Sequence, residues 1–424
     1  VFNQNDVDWY VYLGSMKTAD YLIQGINLIF KQNSKRSHIV TWTRDLLLPS
    51  SNIPLVLNLS KMTIFLNQLP IKLNRGKFVL PNLTKCQRLV AILTILLHLV
   101  VVLKWVLDQW LYPTRPPSPT WKFVLMYYFI TLFAAIAAFI VHVNFLKEET
   151  VFLLNSALQI EQDSNMKGNC IVHIYYIVVV ALSVLAIILM PITCLTFALL
   201  RPCMPPTWTS IIYLECKSWD DDGNTGMWFR SFGAILLYYF SLTVVATAVF
   251  GIIIVLTYPT EVKLILIELM KSYLTKIRTD DGFLCLKTYR TLQILTDMHN
   301  SVFRHPIMSV IVGSVTACES FALYTLITSS SVIPFPGLIL FATVGVELFA
   351  VIVGPFKVMA NPFVKSVELL HSFQPMTGSK LIKRLVRSFP PSKLTLGDGG
   401  FFDKATSLVI CSQCIDLLIT FLLM

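Results

Sequence analysis

The chain has 424 residues, 55% of them hydrophobic and only 14% charged, with a mean hydropathy of +0.67. Water-soluble domains carry roughly 25% charged residues, so lipid must take the place of water over much of this surface. The net charge of +10 comes without zinc-finger spacing or a basic stacking motif, which excludes nucleic acid as a partner and leaves membrane topology as the reason for it.

Residues 1–88 form a basic N-terminal region. Seven later blocks meet the need of a spanning helix for about 20 mostly apolar residues: 89–111, 123–145, 171–200, 232–256, 307–327, 333–356 and 405–424. The expected fold is an all-α membrane protein with seven transmembrane helices. Pro191 falls inside the third block, where it removes a backbone donor and kinks the helix. Pro113, Pro202, Pro259, Pro334 and the Gly354-Pro355 pair mark the expected stops. Spans one to six thus occupy 89–356, with a long loop at 258–306, a last loop at 357–404 and the seventh span at 405–424. In the long loop Leu266, Leu269 and Leu274, then Leu292, Leu295, Met298 and Val302, recur at helical spacing among basic residues. Such helices either extend the neighbouring spans or lie along the membrane, packing within one chain or against another copy. No repeat relates the two halves, which disfavours an inverted-repeat transporter.

Basic loops resist translocation. Arg115, Lys122, Arg201, Lys217 and Arg230 occupy one side, Lys104 lies within a span, and the other lysines and arginines fall on the opposite side. That bias places the N-terminus in the cytoplasm and the C-terminus outside, in a multi-pass protein of the plasma membrane. The sequons at Asn58 and Asn82 are then unglycosylated. The alternatives are an N-out G-protein-coupled receptor, in which Cys170 and Cys285 would share the outer face, and a membrane transporter. Against the former, no Asp-Arg-Tyr follows the third span and no Asn-Pro-x-x-Tyr lies in the seventh. With the N-terminus inside, Cys203 and Cys216 share an external loop, either as a disulfide or unpaired. No HExxH, GxSxG or P-loop signature marks an enzyme. His142 and His173 sit at the inner ends of the second and third spans, but two ligands do not complete a metal site. No cofactor is expected.

The segment "RSFPPSKLTLGDGGFFDKATSLVICSQCIDLLITFLLM" resembles the last cytoplasmic segment and seventh span of the arthropod gustatory and odorant receptor family. "LQILTDMHNSVF" is similar to the helix leading into that family's fifth span. The final stretch "IDLLITFLLM" lacks the Thr-Tyr and Gln-Phe pairs frequent there, which points to a divergent member of gustatory type. The resemblance implies a chemosensory receptor acting as a ligand-gated, nonselective cation channel. It also implies a homo- or hetero-tetramer, with the seventh spans lining a central pore and a small organic tastant or odorant as ligand.

Two sets of residues fit that expectation. In the seventh span Gln413, Asp416 and Thr420 share one helix face, and copies around an axis would form an acidic ring that favours cations. Leu417 and Phe421 beside that face would constrict it. Alternatively, Asp416 pairs with a lysine or a backbone donor inside one chain. A ligand pocket is expected in the outer half of the bundle, where Tyr127, Tyr128, Tyr238, Tyr239, Phe240, Tyr324 and Phe341 offer rings and hydroxyl tips; the same tyrosines suit an interfacial belt in contact with lipid. Glu319 and Glu347 are intramembrane acids that either anchor a polar ligand or pair internally.

Overall fold

A computed structural model describes residues 51–423, apart from 67–68, 82–84, 113–118, 166–173, 204–206, 208–225, 277–281 and 374–383 and the single positions 305, 334, 385 and 398. In chain order the elements are α1 (Ile53–Leu66), β1 (Lys72–Asn74), β2 (Lys77–Val79), α2 (Lys85–Leu111), α3 (Thr120–Phe145), α4 (Lys147–Asn165) and α5 (Ile174–Leu200). There follow α6 (Met227–Val249), a π turn (Phe250–Thr257), α7 (Tyr258–Lys276), α8 (Gly282–Val302), α9 (Ile307–Thr328) and α10 (Phe335–Val351). A second π turn (Ile352–Phe356), α11 (Lys357–Phe373), β3 (Thr395–Gly397), β4 (Gly400–Phe401) and α12 (Thr406–Leu423) complete the order.

Among the described residues seven helices are long and apolar enough to cross a membrane: α2, α3, α5, the run α6–α7, α9, the run α10–α11 and α12. The fourth and sixth spans do not stop where their prolines stand, contrary to the expectation from sequence. Pro355 has no N–H to offer and its ring would crowd the preceding turn; a wider π turn absorbs that fault in the ladder. Ahead of Pro259 the first π turn does the same, with the Thr257 hydroxyl donating to Ile252 O at 2.6 Å. The α6–α7 run is therefore one helix of 48 residues, about 72 Å long at 1.5 Å per residue, more than twice a hydrocarbon core of roughly 30 Å. Pro191 sits within α5 without ending it.

Two apolar cores result. The larger lies among the spans, with α6 and the first π turn at its centre: 78% of the most apolar stretch of α6–α7 is buried, against 17% for α12. The smaller joins α7, α8 and α11 through Leu266, Met270, Tyr289, Leu292, Leu369 and Phe373. The apolar stripes read in the loop sequence are thus satisfied within one chain, with Leu266, Leu269, Leu292, Leu295 and Val302 all buried. Two ion pairs on the flank, Lys365 to Glu268 at 2.8 Å and Lys271 to Glu368 at 3.3 Å, tie α11 to α7; partly exposed pairs of this kind contribute at most about 1 kcal/mol each.

Polar contacts fix the smaller elements. The β1–β2 turn holds Arg75 at φ 49° and Gly76 at φ 76°, the two positive values that a two-residue type I′ turn requires. Asn155 on α4 accepts from Phe78 N at 2.9 Å and donates to Phe78 O at 2.8 Å, so one side chain completes the strand's backbone bonding. Glu161, fully buried, accepts from Ser51 Oγ at 2.8 Å and Asn52 N at 2.7 Å at the start of α1. Burial pushes its carboxyl above the usual carboxylate range, although those bonds oppose the rise. On α8, His299 Nδ1 lies 2.9 Å from Lys263 Nζ, both buried; burial first, then the lysine's charge, hold this imidazole well below its ordinary value.

The segment that delivers α12 is clamped to α8. Tyr289 Oη donates to Pro390 O at 2.9 Å, Thr296 and Ser392 hydroxyls meet at 2.6 Å, and Asn300 both donates to Lys393 O at 2.9 Å and accepts from Thr395 N at 3.1 Å. Asp403 then starts α12, accepting from Thr406 Oγ1 at 2.7 Å and Ala405 N at 3.1 Å. A carboxylate at a helix start meets free N–H groups and the positive end of the helix dipole.

Candidate functional site

A cavity of about 200 Å³ lies between α3, α5, α6 with its π turn, α9 and α10. An apolar cavity of roughly 150 Å³ accepts benzene, so the space suits one small aromatic molecule. Its lining sits near the middle of the helices: Tyr128 to Phe139 on α3, Ser183 to Cys194 on α5, Leu340 to Val351 on α10. It lies at mid-depth rather than in the outer half expected from sequence. Small residues put it there, since Ala135, Ala186, Ala248, Gly251 and Ser314 all fall at lining positions and leave unfilled space between larger rings.

The aromatic wall is Tyr128, Phe129, Phe133, Phe139 and Phe240. Phe240 is held from behind by the buried imidazole of His98, stacked at 3.6 Å with 4° between planes, and from the side by Phe133 at 5.1 Å and 75°. His98 Nδ1 in turn meets Thr94 O at 2.9 Å. The wall is therefore preorganised by packing. Its hydroxyls are mostly engaged: Ser183, Thr247 and Ser314 donate to the carbonyls of Val179, Thr243 and Ile311 at 2.9, 2.8 and 2.9 Å. Glu347, half-buried, brings the lining its carboxylate.

One helix joins this cavity to the last span. The face of α9 bearing Ile311, Ser314, Val315 and Cys318 lines the cavity, while Thr316, Ser320, Phe321 and Tyr324 turn to α12. There Ser320 Oγ donates to Cys414 O at 3.1 Å, Cys414 Sγ to Thr316 O at 3.7 Å, and Phe421 stacks on Phe321 at 5.2 Å and 18°. Tyr127 stacks on the same Phe321 at 6.5 Å. On α12 only Thr406, Ile410 and Cys414 are buried. At 100° per residue, Gln413, Asp416 and Thr420 lie roughly a quarter turn from that face, and all three are exposed. Ile415 and Ile419, 54% and 48% exposed, form the side away from α9.

Of the pocket residues expected from sequence, Tyr128, Phe240 and Glu347 line the cavity. Phe341 backs it, edge-on to Tyr128 at 5.8 Å. Tyr127 stacks on Phe321 instead, Tyr324 packs edge-on against Phe421 at 6.2 Å, Tyr238 is half-buried and Tyr239 is 51% exposed. Glu319 is buried between α9 and α12, beside the Cys411 and Cys414 thiols, with Oε2 lacking a hydrogen bond among the described residues. Leu417 is exposed and Phe421 half-buried. Cys203 is disulfide-bonded, while Cys216 lies outside the described residues, as does His173. His142 Nε2 meets Val302 O at 2.6 Å, pinning the end of α8. Among the described residues no group of three His, Cys, Asp or Glu is placed to hold a metal. Phe129, Phe133 and Phe139 line the cavity beyond the expected set; with Ile136 they follow helical spacing along α3, the pattern of any buried helix face.

Among the described residues these elements define a bundle of seven membrane-capable helices around an internal cavity. No family model and no curated protein matches the sequence. Among solved structures, the insect olfactory receptor OR5 from Machilis hrabei aligns with a TM-score of 0.57 and 11% identity, over 91% of this chain and 98% of that receptor. The same receptor in complex with eugenol aligns with a TM-score of 0.60 and 11% identity, over 87% and 97% respectively. This chain shares their fold.

Proposed function

We propose that this chain is a chemosensory receptor of gustatory type whose own helices form a ligand-gated, nonselective cation channel in the plasma membrane. Its N-terminus is cytoplasmic and its C-terminus extracellular. Four subunits, of one kind or two, set their α12 helices around a central pore with Gln413, Asp416 and Thr420 facing it and Leu417 forming the constriction, while Phe421 stays stacked on α9. The fold shared with an olfactory receptor bound to eugenol supports a small organic ligand, a tastant or odorant, in the cavity.

The observation that carries this reading is the double role of α9, which lines the cavity with one face and holds α12 with another. A ligand that fits the cavity better when α9 shifts would favour the state in which α12 has moved with it, and this difference in affinity is the only energy needed to open the pore. An acidic stripe left exposed on α12 is expensive in lipid and is satisfied by a water-filled axis between copies. The pairing of Cys203 with Cys216 closes the external loop.

Expression of this chain alone, with ligand-evoked current as readout, tests the proposal. Asp416→Asn is expected to lower the preference for sodium over chloride, read as a shift in reversal potential in diluted salt. An unchanged reversal potential removes Asp416 from the pore, and no current with any small organic ligand removes the channel. Antibody access to a tag at the N-terminus of intact cells would move the chain to the N-out alternative.

A further inference from the structure

The polar inventory of the cavity is lopsided. Ser183, Thr247 and Ser314 each spend their single hydroxyl proton on a carbonyl of their own helix, so toward the cavity they retain lone pairs only. Glu347 adds a carboxylate, and no hydrogen bond or ion pair engages it among the described residues. Among the described residues no lysine, arginine or histidine belongs to the lining. Ser241 Oγ, in a residue 8% exposed, lines the same space beside the Cys194 thiol. Besides Tyr128, Ser241 and the weakly donating thiols of Cys194 and Cys318, the polar atoms of the lining are acceptors, and a carboxylate within the membrane-spanning bundle without a counter-charge is costly.

A ligand that suits such a wall brings donors and a positive charge. The surrounding Phe129, Phe133, Phe139 and Phe240 offer ring faces that attract a cation as well as an apolar body. Ketones, esters and aldehydes bring acceptors to a place already rich in them. We propose that the cavity selects small amines, the ammonium donating to Glu347 and the apolar tail lying among the phenylalanines. The inference rests on the receptor reading for its consequence, opening of the channel, and on the cavity alone for binding.

The test is thermal unfolding of the purified full chain in detergent near pH 7, with three probes matched in ring and chain: 2-phenylethylamine, 2-phenylethanol and ethylbenzene. An alkylamine is protonated at that pH. The amine is expected to stabilise the protein at concentrations about tenfold lower than the alcohol, the usual worth of a charge-assisted hydrogen bond. Glu347→Gln should erase that advantage while leaving stabilisation by the alcohol in place. Equal ranking of amine and alcohol in the unsubstituted chain, an advantage that survives Glu347→Gln, or no stabilisation by any of the three overturns the proposal. Current recorded in parallel judges the receptor reading separately: stabilisation through Glu347 without evoked current refutes the channel and leaves the amine site standing.

Discussion

Gly251 sits where the first π turn meets the cavity, and a Cβ added there would lie 2.7 Å from Phe139 Cζ and 3.0 and 3.2 Å from its Cε atoms. Carbon atoms in good contact stay roughly 3.5–4.0 Å apart, so the ring in Gly251→Ala must retreat by about 1 Å. Phe139 is buried at 5% exposure, and the free space beside it is the cavity that both residues line. Overpacking of this size costs about 1–3 kcal/mol, and alanine returns about 1 kcal/mol over glycine in a helix, leaving a net loss of about 0–2 kcal/mol. The larger effect falls on ligands, because the displaced ring takes room from a space of only about 200 Å³. Ligands that nearly fill it should lose about tenfold in affinity, or about 1.4 kcal/mol, while ligands smaller by two or three carbons keep theirs. A homologous series assayed by dose–response of evoked current and by thermal stabilisation in detergent measures this directly. Phe139→Leu added to Gly251→Ala should restore the larger ligands. An equal loss across the series, or no loss at all in a folded variant, would show that the ligand does not occupy this cavity.

Other outcomes follow from single contacts. Phe421→Ala removes the ring stacked on Phe321; ligand binding in detergent should hold while evoked current falls, and parallel loss of both would deny that α9 couples cavity to α12. His299 is held below its ordinary value of 6.5 by burial and Lys263, so the unfolded chain takes up a proton that the native chain refuses. Native stability should therefore decline as pH falls below about 6.5, and His299→Gln, which keeps an acceptor for Lys263 without titrating, should flatten that acid limb of the unfolding curve. Asn155→Ala deletes both bonds to the Phe78 backbone, for a local loss of about 2 kcal/mol; amide exchange at Phe78 should quicken, and unchanged protection would show that α4 does not hold the hairpin.

Seven apolar blocks were legible because lipid demands one long uninterrupted run per crossing, a property of composition that needs no neighbours. The stripe of Gln413, Asp416 and Thr420 was legible for a related reason, since helical spacing alone puts those three on one face. Proline misled the boundaries at Pro259 and Pro355, because whether a missing N–H ends a helix or widens one turn depends on what packs around it. The cavity was not legible at all: Tyr128, Phe240 and Glu347 appeared as separate residues on separate spans, and nothing in their spacing says that small residues on α3, α5, α6 and α9 leave a shared void among them. Sequence thus determined how many helices cross the membrane and what each carries along its length. Tertiary structure decided which side chains meet, because helix packing joins faces hundreds of residues apart through shape, and shape is a property of the assembled bundle.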